Sequence, residues 1–573
     1  MTQQSKTMKK TLLLLILVSL LGACSPTPTS TGTAAALPAS QTPTLVNTAT
    51  PTPPGLWISP ASPPALRDIA MKSGIPLVND AGQATLLLDI TDSATAQSNW
   101  IYALAAPFPT LTDEISSADL LSTWQGVPAG PLAGRPLLMA ESTYSAFAAI
   151  WGKSAPGVVN IVPPEQLLPM AWGRIPSYAI IPFESIEPQW KVLAVGGQSP
   201  IHKNFDAGAY PLKVGFGLSD TASIELPATN RDPAKLTTVI LTGVTALWAA
   251  TSYIMEIKGI TYPGSSIRDV LREADITHIS NEIPFDEDCP FPNPGETSLA
   301  ILCSKPKYME LFTDVGMDIV ELTGDHFNNR GVDAMLETIE MYRQIGVPYY
   351  GGGTNIEDSI KPLLIGTNGN KFAFIGCNAK LNYPHATETI PGAAPCLFDY
   401  MTAQIRDLRA QGYLPIVTFQ DYEYYSPEAR PGQIERFHMM ADAGAVLVSG
   451  SQAHYPQMME FYNGVFLHYG LGNLFYDQMT YTLSNGDVTD RTRHEFIDRH
   501  VFYDGRYLGT EILTAILMDY ARPQWMNEKQ RTAFLSDYFY DSGWIPFSPT
   551  PRPAPTVTLT PIQLPNIVTT PTP

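Results

Sequence analysis

The stretch 318-DIVELTGDHFNNRG-331 sets Asp325 and His326 side by side where an apolar run ends and a helical pattern begins. The same arrangement recurs along the chain. Asn281 and Glu282 follow 276-ITHIS-280, and Gln420, Asp421 and Glu423 follow 414-LPIVTF-419. Ser451, Gln452 and His454 follow 445-AVLVSG-450, and Asn473 and Asp477 follow 465-VFLHYGLG-472. Carboxylates and imidazoles gathered at one place can pass protons or hold a divalent cation. The plainer alternative is a hydrogen-bonded network in a cleft that does no chemistry.

The elements that must position these residues can be read from the same rhythm. Between the apolar runs lie segments of helical period. One is 332-VDAMLETIEMYRQIG-346, with Val332, Leu336 and Ile339 on one face and Gly346 as its stop; another is 398-FDYMTAQIRDLRAQG-412. Such alternation builds a largely parallel sheet, and in open α/β sheets ligand sites form at the carboxyl ends of strands. Glu282, His326 and His454 are therefore expected to converge although they are far apart in sequence. The region opens with 237-TTVILTGVTAL-247, after the polar segment 228-ATNRDPAKL-236, and extends over residues 236–547.

This region resembles the bacterial capsule-synthesis CapA family, which is associated with poly-γ-glutamate and has a metallophosphoesterase-like α/β sandwich. The resemblance rests on 243-GVTAL-247, 274-ADITHISNEIPF-285, 322-LTGDHFNNRG-331, 351-GGGTN-355, 443-AGAVLVSGSQAHYPQ-457 and 469-YGLGNLFYD-477, in the family's order. There are departures. Val244 stands where the family has an Asp, Ala249 where it has an Arg, and Gln420-Asp421-Tyr422 where it has His-Trp-Gly. Glu282, His326, His454 and Asn473 are kept. The resemblance implies a catalytic set of Glu282, His326, His454 and Asn473, with Asn473 orienting substrate. With Asp325 as an added ligand, Glu282, Asp325, His326 and His454 would hold one divalent ion, and two imidazoles with two carboxylates suit zinc, manganese or iron. The implied role is synthesis, export or attachment of an anionic capsule polymer. The alternatives are a metal-dependent phosphoesterase or hydrolase of envelope material, and a non-catalytic protein that binds a polymer or anion at a degenerate site.

Other residues carry less. The run Gly351-Gly352-Gly353 lacks the Lys-Ser/Thr of a phosphate loop and reads as a tight turn before a helix at Asn355. Asp421 and Glu423 are either an acid/base pair or a solvated loop. Arg330, Lys380 and Arg430 lie near these loops and could receive a carboxylate-rich polymer. The stretch 491-RTRHEFIDRHVFYDGRYLG-509 reads as an edge hairpin around Asp504-Gly505.

Residues 56–228 alternate short apolar runs (86-LLLDI-90, 178-YAIIPF-183, 191-KVLAVGG-197) with helical segments at 64–74 and 116–126, which indicates a smaller α/β domain. With 207-AGAYPLKVGFGL-218 it resembles a type II periplasmic-binding domain; a structural domain without ligand is the alternative. At the start, Lys9 and Lys10 precede the apolar run 11-TLLLLILVSLL-21 and then 21-LGAC-24. Residues 1–24 resemble a lipoprotein signal peptide, so Cys24 would carry lipid and hold an extracytoplasmic protein on the membrane. Residues 25–55 read as a Pro/Thr-rich disordered tether and 548–573 as a disordered tail. In an oxidising compartment Cys289, Cys303, Cys377 and Cys396 are expected in disulfides. Four cysteines allow three pairings, and loop length favours Cys289–Cys303 with Cys377–Cys396. The net charge of −19 argues against a nucleic-acid partner.

Overall fold

In the strand Leu236–Leu241, Val239 and Leu241 face one apolar cluster while Ile240 faces another. Side chains alternate across a strand, so this one is covered on both faces, which is why all six of its residues are buried and its second half, Val239–Leu241, is apolar on both sides. The computed structural model describes residues 55–547 apart from 221–223, 382 and 384. The leader with Cys24, the tether and the tail lie outside the described residues. Among the described residues no helix is long and apolar enough to cross a membrane.

The part from residue 236 onward is an α/β sandwich. Its nine-stranded sheet runs in the order Tyr349–Tyr350, Ile319–Glu321, Ile276–Asn281, Leu236–Leu241, His494–Tyr503, Arg506–Met518, Arg522–Trp525, with the short strands Val244–Thr245 and Asn473–Phe475 attached beside it. The six-stranded sheet runs Leu363–Thr367, Asn370–Asn378, Leu414–Gln420, Leu447–Ser449, Val465–His468, Met459–Tyr462. Phe372, Phe374 and Ile416 of the second sheet join Val239 and Ile319 of the first in the core between the sheets. Ala373, Ile375 and Val417 point the other way, onto the helices Phe398–Ala410 and Pro431–Ala443. Helices Ala249–Lys258 and Gly331–Gln344 cover the outer face of the first sheet.

Two sequence expectations change here. On helix Gly331–Gln344 the buried stripe is Met335, Thr338, Ile339 and Tyr342, whereas Val332 and Leu336 are exposed. The hairpin around Asp504-Gly505 exists, and both turn residues have positive φ, at 51° and 75°. It is not at an edge, because His494–Tyr503 pairs with Leu236–Leu241 and Arg506–Met518 pairs with Arg522–Trp525.

The part before residue 220 is also mixed α/β, built on its own nine-stranded sheet in which Lys213–Leu218 pairs antiparallel with Ser98–Pro107. The two parts share apolar surfaces. Leu236, Val501, Tyr503 and Leu508 lie in the first part's cluster, and Phe108 of the first part packs edge-on against Phe461, Phe539 and Trp544 of the second. The disulfides are Cys289–Cys303 and Cys377–Cys396, the pairing that loop length favours.

Candidate functional site

Glu282 directly follows the strand Ile276–Asn281, and Asp325 and His326 sit beyond the neighbouring strand Ile319–Glu321, which runs parallel to it with Ser280 opposite Glu321. Parallel register brings the two tips out at the same level. Gly324 makes the close approach possible: a Cβ there would lie 2.5 Å from the Glu282 Cα. Gly243 does the same on the other side, where a Cβ would lie 2.0 Å from the Gly472 carbonyl oxygen. Only glycine allows two backbones this near.

One ligand atom from each of Glu282, Asp325 and His326 falls within 4.8 Å of the others. Their donor chemistry fits a divalent cation. Asp325 Oδ1 is buried without a hydrogen-bond partner, and an orphaned carboxylate oxygen facing a cluster of ligand groups is what a cation would satisfy. His326 Nδ1 lies 3.3 Å from Asn329 Oδ1, an arrangement in which Nδ1–H donates and Nε2 is the ring atom left to face a cation.

His454, expected with them, is not in that group. Its Nε2 lies 3.1 Å from Glu282 Oε1 and its Nδ1 2.8 Å from Asn473 Oδ1. Asn473 is fixed in turn by donating from Nδ2 to the Thr492 carbonyl at 2.9 Å. Both ring nitrogens of His454 therefore donate, as in an imidazolium. Burial works against that charge, but the carboxylates of Glu282 and Glu423 outweigh it and push the His454 pKa up to about 9. The ring lies under Tyr476, centroid to centroid 5.0 Å.

The opposite wall is charged. Lys380, beyond the strand Asn370–Asn378, pairs with Asp325 Oδ2 and with Glu423 Oε1, the latter at 2.8 Å. Burial would raise the Asp325 carboxyl, yet Lys380 and His326 beside it hold it below its usual value. Burial likewise opposes ionisation of Glu423, and His454 and Lys380 overcome it.

Several sequence candidates have other duties. Asp421 is no solvated loop residue: it is buried and pairs bidentately with Arg436, at 2.9 and 2.7 Å. Arg330 is paired to Asp286 at 2.6 Å, and Arg430 lies over the Tyr422 ring at 4.9 Å. Asp477 accepts the Ala250 N–H at 2.7 Å at the start of helix Ala249–Lys258. The glycine run bends as expected, with Gly351 at φ 71°, before Asn355 caps the helix Ile356–Ser359.

The sequence reading missed what lies beneath the site. Glu321 is fully buried and accepts from His278 Nε2 at 3.1 Å, Ser280 Oγ at 3.0 Å, Thr323 Oγ1 at 2.7 Å, and Ser451 Oγ. The available signal was Glu321 at the end of the apolar strand Ile319–Glu321, beside a strand whose alternate residues are His278 and Ser280. A separate cavity of about 280 Å³ lies between the two parts, lined by Lys191, His202, Glu511 and Arg531 among others. No strand-tip residue lines it, so its volume is no guide to the site described above.

Residues 231–478 match the family model "Bacterial capsule synthesis protein PGA_cap". The chain is 25% identical over 182 residues to a capsule biosynthesis protein CapA of Bacillus anthracis, covering 31% of this chain and 44% of that protein. It is 23% identical over 172 residues to a PGA biosynthesis protein CapA of Bacillus subtilis, covering 30% and 45%. The chain thus spans less than half the length of these relatives. Among solved structures it is similar to a phosphatase from Mycoplasma pneumoniae, at 11% identity and a TM-score of 0.31, covering 49% of this chain and 94% of that one.

Proposed function

Because residues 231–478 match the bacterial capsule-synthesis family model and resemble the CapA proteins, we propose that this protein acts in the synthesis, export or attachment of an anionic capsule polymer such as poly-γ-glutamate. The observation that carries a chemical role is the convergence of Glu282, Asp325 and His326 at adjacent strand tips. These three would hold one divalent ion; zinc, manganese and iron all suit two carboxylates and an imidazole. Such an ion supplies Lewis acidity toward a phosphoryl or carbonyl oxygen and makes a bound water more acidic. The protein's own groups prepare the place. His454 Nε2 lies against Glu282 Oε1 and orients that carboxylate, and Asn473 holds the ring's orientation. The reaction class is metal-assisted hydrolysis or transfer on envelope material.

The leader ending in 21-LGAC-24 supports attachment to the outer face of the membrane through lipid on Cys24. A polymer of carboxylates would meet a chain of net charge −19, so its approach depends on locally basic surface. One observation favours binding without turnover. Val244, fully buried in the short strand Val244–Thr245, stands where the family carries a carboxylate.

The test is complementation in the producing organism. A strain lacking this protein should lose cell-surface polymer, and the wild-type chain should restore it. Glu282→Gln and His326→Ala should fail to restore it at equal protein level. No loss on deletion overturns the capsule role; restoration by both variants overturns the role of the strand tips.

A further inference from the structure

Lys380 approaches the candidate centre from the second sheet. Its backbone N–H donates to Asn378 Oδ1 at 2.9 Å, and Asn378 Nδ2 donates to the Thr323 carbonyl at 2.9 Å. The lysine is thereby tied to the loop that carries Asp325. Its side chain is only 16% exposed, and the ammonium sits between the carboxylates of Asp325 and Glu423. Asp325 is divided by this contact: Oδ2 faces the ammonium, while Oδ1 is buried and unpartnered.

A cation that links two carboxylates from different loops is what a metal ion often does in such a cluster. We propose that the Lys380 ammonium is a resident second cation of this centre, which holds Asp325 and Glu423 together and limits the site to a single divalent ion on Glu282, Asp325 Oδ1 and His326. The proposal rests on the metal reading given above and adds to it the ion count and the group that sets it. The physical reason is charge. A second divalent ion brought to the Asp325–Glu423 side would lie within a few ångströms of a tethered ammonium in a poorly solvated place, where like charges repel strongly. The ammonium cannot move away without leaving two buried carboxylates facing each other. Lysine suits this duty as a compact point charge with three donors on a flexible stem.

The experiment uses the full-length protein, titrated separately with Mn²⁺ and Zn²⁺ by calorimetry, with elemental analysis after desalting. Wild type, Lys380→Met, Lys380→Arg and the double variant Lys380→Met/Glu423→Gln are compared, and thermal midpoints establish that each is folded. The expected result is one ion per chain in wild type and in Lys380→Arg. Lys380→Met should bind a second ion, or bind the first at least tenfold more tightly, and the double variant should return toward the wild-type count. One ion in wild type with unchanged count and affinity in Lys380→Met overturns the proposal and leaves the metal reading standing. Metal in Lys380→Met but not in wild type overturns the single-ion count proposed for the native centre, together with the metal reading on which it rests. No metal in any folded variant overturns both.

Discussion

His454 Nε2 lies 3.1 Å from Glu282 Oε1, with both side chains almost wholly buried. A buried imidazole N–H donating to a carboxylate oxygen holds that carboxylate in one orientation. Partners that orient a metal-ligating group typically contribute about 10- to 100-fold to metal affinity. His454→Ala should lower Mn²⁺ or Zn²⁺ affinity by about that factor. His454→Gln, which keeps a donor, should lose less. Calorimetric titration checks this, and equal affinities in all three proteins would leave His454 without a role in the centre.

Gly324→Ala should disable the centre without unfolding the protein. The new Cβ would lie 2.5 Å from the Glu282 Cα, a backbone atom that cannot step aside. The loop carrying Asp325 and His326 must therefore lift away. Metal binding should be lost while the circular dichroism spectrum stays that of wild type; retained metal would show that the two tips need not be so close.

Phe108 is 3% exposed and belongs to the first part, yet it is packed among Phe461, Phe466, Phe539 and Trp544 of the second. Phe108→Ala should destabilise the protein by about 3–5 kcal/mol, the usual cost of emptying a buried aromatic site. Denaturation followed by two probes, one in each part, should show coincident transitions in wild type. A separate, unaltered transition for either part would mean that this contact does not couple them.

Acid should destabilise the protein through His500. Burial among Asp498, His468 and Tyr507 pushes its pKa down from 6.5 to about 4. The folded value is depressed, so the contribution is present above pH 6.5 and is lost as pH falls toward 4. Linkage puts the loss between pH 7 and pH 5 at about 2 kcal/mol for this one group. Urea midpoints at the two pH values should differ in wild type, and less so in His500→Phe. Equal differences in both proteins would assign the acid sensitivity elsewhere.

The pair Cys377→Ser/Cys396→Ser should cost about 3 kcal/mol, as expected for a bridge closing a loop of this size. The bridge spans 19 positions and ties the end of the strand Asn370–Asn378 to the segment before helix Phe398–Ala410. Lys380 lies three residues beyond Cys377. Metal titration of this double variant should therefore show altered affinity as well as a lowered thermal midpoint.

The alternation of apolar runs and helical segments made the sheets legible, because strands covered on both faces are largely apolar. The tips were legible for the same reason: Glu282, Asp325, His326 and His454 each interrupt such a run at its end. The helix face at 331–344 was not, since Val332 and Leu336 are as apolar as Ile339, and only the neighbours decide which face is covered. The Lys380–Asp325 pair was out of reach as well. Its members are 55 residues apart and lie on different sheets, and no local pattern couples them. Glu321 was hidden by its own solution: a buried carboxylate with four donors leaves no trace in sequence except that it is out of place.

The strand His494–Tyr503 lies in the middle of the first sheet, hydrogen-bonded along its length to Leu236–Leu241. During synthesis the earlier strand leaves the ribosome long before its partner is made. Until then it has an open hydrogen-bonding edge, a template for pairing with other chains. The family match stops at residue 478, short of this strand, so a fragment cut to the match would keep that edge for good. The strand tips would be present in such a fragment, but the sheet holding them would lack its centre. For this protein, assembly is completed from the carboxyl-terminal side, and exposure to self-association is greatest just before the late strand arrives.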